Sequence, residues 1–285
     1  MNPAVTTAVL NRFDFHFQKR YGQNFLIDSH VLDKIISAAD ITKEDFVLEI
    51  GPGIGTMTQF LSEAALKVMA VEIDKNLIPV LDHTLEAYEN VQVVNEDILK
   101  MDLKEVSKNE ADGKKIKVVA NLPYYITTPI IMELLESKVP VSSITVMIQK
   151  EVADRMQAKP KTKDYGALSL AVQYYSKPKV VACVPPNCFI PRPGVSSEVI
   201  TLEVYDEPVI KVKDEKLMFR IIRAAFNQRR KTLVNALSNS SELNVSKDHV
   251  KAALVKLSMD ERVRGEALSP EEFALLSDAI SEMNL

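Results

Sequence analysis

The chain is poor in the residues that build covalent or metal-centred sites. Its 285 residues include two cysteines, Cys183 and Cys188, and four scattered histidines, with no metal-ligand spacing among them. A disulfide framework and a Cys/His metal centre are therefore not expected, and both thiols read as reduced side chains in or near a strand. Long hydrophobic runs are also missing. The amino terminus mixes Arg12, Asp14, His16, Lys19 and Arg20 with single apolar residues, too broken for a signal peptide or a membrane span. The expectation is a soluble, cytoplasmic chain with no membrane and no metal partner. Internal repeats and low-complexity tracts are absent as well. A basic balance is missing too: the net charge of −4 is the one global feature that argues against a partner made of phosphates. The cations are nonetheless clustered, as Arg12, Lys19 and Arg20, as Lys150, Arg155, Lys159, Lys161 and Lys163, and as Arg220, Arg223, Arg229, Arg230 and Lys231.

A hydrophobic share of 46% in a chain of this length suffices for a large core and a second small domain. Up to Tyr205-Asp206-Glu207-Pro208, β-branched runs alternate with helical patterns. Strands are expected near 46–50, 67–71, 91–95, 117–120, 144–148, within 171–184, and at 198–204. That alternation implies a mainly parallel sheet with helices on both faces. One connecting helix is expected to have Thr128 as N-cap and Pro129 in its first turn. Beyond the boundary only helices are read, the last opened by the capping box Ser269-Pro270-Glu271-Glu272 with Phe273, Leu276 and Ile280 facing inward. The expected domains are 1–206, with an arm over 1–22, and 207–285.

Chemistry concentrates at the predicted strand ends. Phe46-Val47-Leu48-Glu49-Ile50 runs directly into Gly51-Pro52-Gly53-Ile54-Gly55 and a helical pattern from Met57, which is a strand, a glycine turn and a helix. Glycines let a backbone pass close to a ligand. About twenty residues further on, Val68-Met69-Ala70-Val71 ends in Glu72, an acid placed to accept both hydroxyls of a ribose. A nicotinamide site would share that acid, but would also want a glycine where Thr56 stands. A nucleoside without phosphates fits better, as in S-adenosylmethionine. Asp97, after the Val91–Val94 run, is suitably placed to hold an adenine amino group.

Asn121-Leu122-Pro123-Tyr124 follows Val118-Val119-Ala120 at the end of another strand. Two acceptors there, the Asn121 carboxamide oxygen and the Leu122 carbonyl, would draw an exocyclic amine toward tetrahedral geometry and aim its lone pair at an electrophilic methyl. No strong base is then needed. Pro123 stiffens the turn, and the Tyr124 ring offers a face for an extruded base.

Together with Gln23-Asn24-Phe25-Leu26, Glu96-Asp97-Ile98, Phe189-Ile190-Pro191-Arg192-Pro193 and Phe226-Asn227-Gln228-Arg229-Arg230-Lys231, these motifs resemble the series of the ribosomal RNA adenine N6,N6-dimethyltransferases, from about Phe17 to the end of the chain. The resemblance implies a Rossmann-like class I methyltransferase fold with a mainly parallel seven-stranded sheet and a small all-helical C-terminal domain. It also implies a monomeric enzyme that uses S-adenosylmethionine to dimethylate two adjacent adenosines in the 3'-terminal hairpin of 16S ribosomal RNA within the small subunit. By position, Asn24, Leu26, Gly51, Gly53, Glu72, Ile73, Asp97, Ile98 and Asn121 would hold the cofactor. Asn121, Leu122, Tyr124 and Phe189 would serve the target base, the two aromatics sandwiching it. Tyr21 departs from the pattern, where many relatives have Leu, as does Ser196, where many have Asp.

RNA contacts are expected on one helix where Phe219, Ile222, Phe226, Leu233 and Leu237 form an apolar stripe flanked by Arg220, Arg223, Arg230 and Lys231. Arg229 projects near the stripe and should be partly buried against an acid. A cleft between the two domains is the expected path of RNA. Two other functions remain open: methylation of large-subunit 23S RNA, as in macrolide-resistance methyltransferases, and a non-catalytic RNA-binding assembly or transcription factor on the same scaffold.

Overall fold

Each β-branched run becomes a strand, and the polar-flanked apolar stretches between them become helices. The computed structural model describes residues 3–283. In order these form α1 (Pro3–Arg12), β1 (Phe25–Leu26), α2 (Ser29–Ala39), β2 (Phe46–Ile50), α3 (Thr56–Ala64), β3 (Lys67–Glu72), α4 (Ile78–Thr84), β4 (Val91–Asn95), α5 (Leu103–Glu110) and β5 (Ile116–Asn121). There follow α6 (Thr127–Glu136), β6 (Val141–Gln149), α7 (Lys150–Met156), α8 (Ala167–Tyr175), β7 (Ser176–Val184), β8 (Phe189–Ile190), β9 (Ser197–Val204), α9 (Glu215–Asn227), α10 (Leu233–Ser238), α11 (Lys247–Lys256) and α12 (Pro270–Met283).

Seven strands join in the order β4-β3-β2-β5-β6-β9-β7, and β1 pairs separately with β8. Strands β4, β3, β2, β5 and β6 run parallel, and β9 returns antiparallel to β6. Strand order reverses between β2 and β5, the place where open α/β sheets receive ligands at their carboxyl ends. All five residues of β2 are buried, as a strand covered on both faces must be. Leu32 and Ile35 of α2 and Leu61 of α3 pack on Val47, Val119 and Met147 on one face. A second cluster gathers Leu10 of α1, Phe25, Ile54 and Leu81 of α4.

The chain folds as two compact units that differ from two continuous segments. One takes the chain up to Ala153 together with Lys177–Val204, and the other gathers Asp154–Ser176 with the chain from Tyr205 onward. The boundary after Val204 falls where the composition changes, but the hairpin-like excursion carrying α8 belongs to the second unit. Its aromatic residues explain why. Tyr165 is fully buried and donates to the Leu268 carbonyl at 2.8 Å, the Tyr175 hydroxyl reaches Glu215 at 2.8 Å, and the Tyr175 ring stacks on Phe219 at 5.7 Å.

Two local expectations are corrected. The helix after the Asn-Leu-Pro-Tyr turn is capped by Ile126, not Thr128, because the turn at Pro123 runs straight into it and the Thr127 hydroxyl donates back to the Pro123 carbonyl at 3.1 Å. Pro129 still lies in the first turn. The single helix expected across 219–237 is broken: α9 ends at Asn227, and Thr232 caps α10 through its side chain. Arg230 and Lys231 therefore sit in the intervening turn, off the face that bears Arg220 and Arg223. The capping box of α12 forms as expected, with Ser269 N donating to Glu272 at 2.7 Å and Glu272 N to Ser269 Oγ at 3.2 Å. Arg229 meets Glu266 at 2.8 Å and the carbonyls of Lys163 and Thr162 at 2.7 and 3.0 Å. Among the described residues no helix is long and apolar enough to cross a membrane.

Removing the Tyr165 hydroxyl leaves the buried Leu268 carbonyl without its donor, so Tyr165→Phe should destabilise the second unit by about 1–3 kcal/mol. Urea unfolding followed by a probe in that unit is the measurement. An unchanged midpoint would mean that the bond contributes nothing net.

Candidate functional site at the switch of the sheet

The turn after β2 is built so that backbone, not side chain, faces the space above it. Gly51 and Gly53 both have positive φ, +71° and +61°. A Cβ on Gly53 would fall 2.9 Å from the Phe25 ring, whereas one on Gly51 would meet nothing closer than the Asn121 carbonyl at 3.9 Å. Gly53 therefore lets the segment of β1 lie over the turn, and Gly51 leaves an open cradle. Asn24, Leu26, Gly51, Gly53, Glu72, Ile73, Asp97, Ile98, Asn121, Leu122 and Tyr124 all line this one pocket. Phe189 does not. It is 1% exposed and packed in the core with Leu26 and Cys188, because pairing of β8 with β1 sets Phe189 opposite Leu26. Phe189 thus lies behind Leu26, which does line the pocket, while Tyr124 is the aromatic of the expected pair that faces it. Arg220, Arg223, Arg230 and Lys231 lie in the second unit. There Arg223 pairs with Glu242 at 3.6 Å, and Arg220 donates to the Glu242 carbonyl at 3.5 Å.

Glu72 ends β3 and is 5% exposed. Its oxygens accept one backbone N–H each, from Gly53 at 3.2 Å and Asp74 at 2.8 Å. A carboxylate offers about four lone-pair sites, so capacity remains for the two hydroxyls of a ribose. Burial pushes Glu72 up to about 7; the Asp74 and Gly53 N–H groups resist the rise and the Asp74 carboxylate adds to it. Asp97 caps the turn at Ile98–Lys100 by accepting from Leu99 N at 3.1 Å.

The Asn121 carboxamide is oriented by its neighbours. Its Nδ2 donates to the Asn24 carbonyl at 2.8 Å, which commits the amide hydrogen side to the protein and leaves Oδ1 as the acceptor. Asn24 in turn donates to the Gly22 carbonyl at 3.0 Å. Leu122 N donates to the Met147 carbonyl of β6 at 3.1 Å, which anchors the turn. The Tyr124 hydroxyl shares a 2.7 Å hydrogen bond with Ser197 Oγ at the start of β9. A further tie runs from Gln23 Nε2 to Asp74 Oδ2 at 2.8 Å, while Gln23 Oε1 accepts from Gln18 N at 3.0 Å.

Sequence reasoning missed several of these groups. Glu49 is among the residues that line the pocket yet is fully buried, and neither of its oxygens has a hydrogen-bond partner among the described residues. Burial pushes it up to about 8, with Glu72 adding to the rise. The Thr58 hydroxyl of α3 eases it, yet the two do not meet in hydrogen-bond geometry. Its signal was available, as the only charge within an otherwise apolar strand. Asp74 and Ser197 left no comparable signal, because Gln23 and Tyr124, which they meet, are distant in the chain. The open cradle, the spare capacity of Glu72 and the nearby Asp97 fit a nucleoside with a cationic tail, as in S-adenosylmethionine. Among the described residues no group of three or more His, Cys, Asp and Glu is arranged to hold a metal.

Comparison with known proteins agrees with this geometry. The sequence profile of the family described as ribosomal RNA adenine dimethylase matches residues 14–281. The ribosomal RNA small subunit methyltransferase A of Lachnoclostridium phytofermentans is 61% identical over 282 residues, covering 99% of this chain and 97% of that protein. A crystal structure of a dimethyladenosine transferase from Plasmodium falciparum superposes with a TM-score of 0.76 at 27% identity, covering 88% of this chain and 95% of that one. That of the 23S rRNA methyltransferase ErmE gives 0.68 at 25% identity, covering 90% and 100%.

The two buried acids generate a pH dependence with a definite sign. Both have folded-state values, about 8 for Glu49 and about 7 for Glu72, above the ordinary 4.5. Between those values the folded chain holds protons that the unfolded chain has lost, so the stability they contribute is lost as pH rises through 7 to 8. The urea midpoint of the ligand-free protein should thus fall from about pH 6 to about pH 8.5, and Glu49→Gln should flatten the fall. A variant with the full wild-type slope would show that Glu49 does not titrate there.

Proposed function

We propose a function from the premise that this chain belongs to the ribosomal RNA adenine dimethylase family. It transfers methyl groups from S-adenosylmethionine to the N6 amines of two adjacent adenosines in the 3'-terminal hairpin of 16S ribosomal RNA. The substrate is the maturing small subunit, and the enzyme works as a cytoplasmic monomer. The observation that carries this reading is the Asn121 carboxamide, fixed through its Nδ2 to the Asn24 carbonyl at 2.8 Å so that Oδ1 faces outward as an acceptor.

Bound S-adenosylmethionine supplies an electrophilic methyl group on a sulfonium. Glu72 would accept from the ribose hydroxyls, Asp97 from the adenine amino group, and the backbone at Gly51 and Gly53 would admit the ligand, with Asn24, Leu26, Ile73 and Ile98 around it. Adenine N6 is a poor nucleophile because its lone pair is delocalised. Asn121 Oδ1 and the Leu122 carbonyl, each accepting one N–H, favour the pyramidal form whose lone pair points at the methyl group. The Tyr124 ring supports the extruded base from one side. The proton lost after transfer leaves to solvent, since no residue of the turn is a strong base.

Small-subunit RNA is favoured over large-subunit RNA by the 61% identity to a small-subunit relative, against 25% to ErmE. A non-catalytic role is disfavoured by the intact glycine turn and by Asn121. Labelled cofactor offered with unmodified small subunits and, separately, with large-subunit RNA should mark only the former; label on large-subunit RNA alone would overturn the assignment.

Asn121→Ala should slow single-turnover methyl transfer at saturating cofactor by about 3 kcal/mol of barrier, a larger loss than any accompanying weakening of the cofactor. A loss under about tenfold would remove Asn121 from the chemistry.

The Tyr124–Ser197 bond should matter through ring placement. Ser197→Ala and Tyr124→Phe each delete it, so each should lower kcat by about tenfold, and the double variant should be no worse than either. Additive losses would mean that Ser197 acts independently of Tyr124.

A further inference from the structure

Tyr125 follows the aromatic that supports the target base and lines the same pocket. It is 57% exposed at the rim of the pocket. Its ring rests beside Gly22, where a Cβ would lie 3.5 Å from Cδ1 and 3.7 Å from Cε1. Tyr21, also on the rim, is close enough to contribute to raising the Tyr125 hydroxyl above its ordinary value, an effect led by burial. The guanidinium of the exposed Arg20 lies 4.5 Å over the Tyr21 ring centroid. The rim therefore presents an open phenol ring beside an arginine already stacked on a second phenol.

A group that only enclosed the cofactor would not need an exposed face. Extruding one base from a strand leaves its neighbour without a stacking partner, and exposed aromatic rings and guanidinium planes accept such bases without regard to sequence. Charge sets the direction of the strand. Asp97 and Glu72, on the pocket side of Tyr125, raise its hydroxyl further and would repel a phosphate. Arg20, on the Tyr21 side, would attract one.

Resting on the function proposed above, we propose that Tyr125, with Arg20 stacked on Tyr21, forms a second nucleotide site. It holds the base adjacent to the one being methylated, with Arg20 on the phosphate between them. For a substrate with two neighbouring adenosines, this ledge would keep the waiting base in place while its neighbour reacts.

The test uses small subunits assembled in vitro on RNA with either both adenosines or an abasic nucleotide in place of one. On intact subunits Tyr125→Ala should raise KM about tenfold, the scale of one lost base stack, with cofactor affinity unchanged and Tyr125→Phe near wild type. On subunits with the abasic neighbour, wild type and Tyr125→Ala should become equal. Arg20→Gln, which leaves the pocket lining intact, should lower the slope of log affinity against log salt by about 0.7–0.9. The proposal is overturned if Tyr125→Ala leaves KM unchanged, if it weakens the cofactor in parallel, or if its penalty persists on the abasic subunits. An unchanged salt slope for Arg20→Gln removes the phosphate contact. Failure of the wild-type enzyme to methylate intact subunits would instead overturn the underlying function, and this inference with it.

Discussion

The hydrogen bond from Asn121 Nδ2 to the Asn24 carbonyl joins parts of the chain that are far apart in sequence. On one side is the end of β5, fixed in the sheet by β2 and β6. On the other is a short segment whose only strand pairing is two residues of β1 against β8. Without this bond the carboxamide would be free to rotate, and either its oxygen or its nitrogen could face the pocket. With it, an amine finds an acceptor, and the Asn24 segment is drawn over the glycine turn. The bond therefore sets the polarity of the site and its roof together, and Gly53 is the residue that makes room for the Phe25 ring to complete that roof.

Beneath the roof the site is acidic. Burial above all makes both Glu49 and Glu72 resist ionisation, and among the described residues Glu49 has no hydrogen-bond partner while Glu72 keeps spare lone pairs. A cationic ligand with vicinal hydroxyls supplies what these carboxyls lack. The same arrangement disfavours a phosphate inside the pocket, which agrees with the absence of a third glycine at Thr56 and separates this turn from dinucleotide-binding turns.

Much of this was legible in the sequence because it is local. The strands, the glycine turn, Glu72 and Asn121 lie at fixed offsets along the chain, and the parallel sheet brings those offsets to one edge. The burial of Phe189 was not legible, because its place is decided by the pairing of β8 with β1, a contact more than 160 residues apart in sequence that sets the ring beside Leu26. The long basic helix was misread because continuous 3.6-residue spacing across 219–237 conceals a stop. Thr232 is a good N-cap, and its side chain competes with helix continuation. The segment 154–176 carries no compositional mark of belonging elsewhere; only Tyr165, Tyr174 and Tyr175, whose hydroxyls need partners when buried, hint that it must find polar groups outside its own turns.

The negative balance of the chain, which argued against a polyanionic partner, loses force once the acids are located. Glu49 and Glu72 are buried, and their raised values mean that a formal count at neutral pH overstates the charge that solvent meets. Other acids are spent on cations of the same unit, as Glu198 is on Lys150, Glu266 on Arg229 and Glu282 on Lys213 and Lys256. What an approaching strand senses is therefore set by the exposed charges nearest its path and not by the total. At the rim of the pocket Arg20 is such a charge, and its stacking on Tyr21 holds it where a phosphate beside an extruded base would pass.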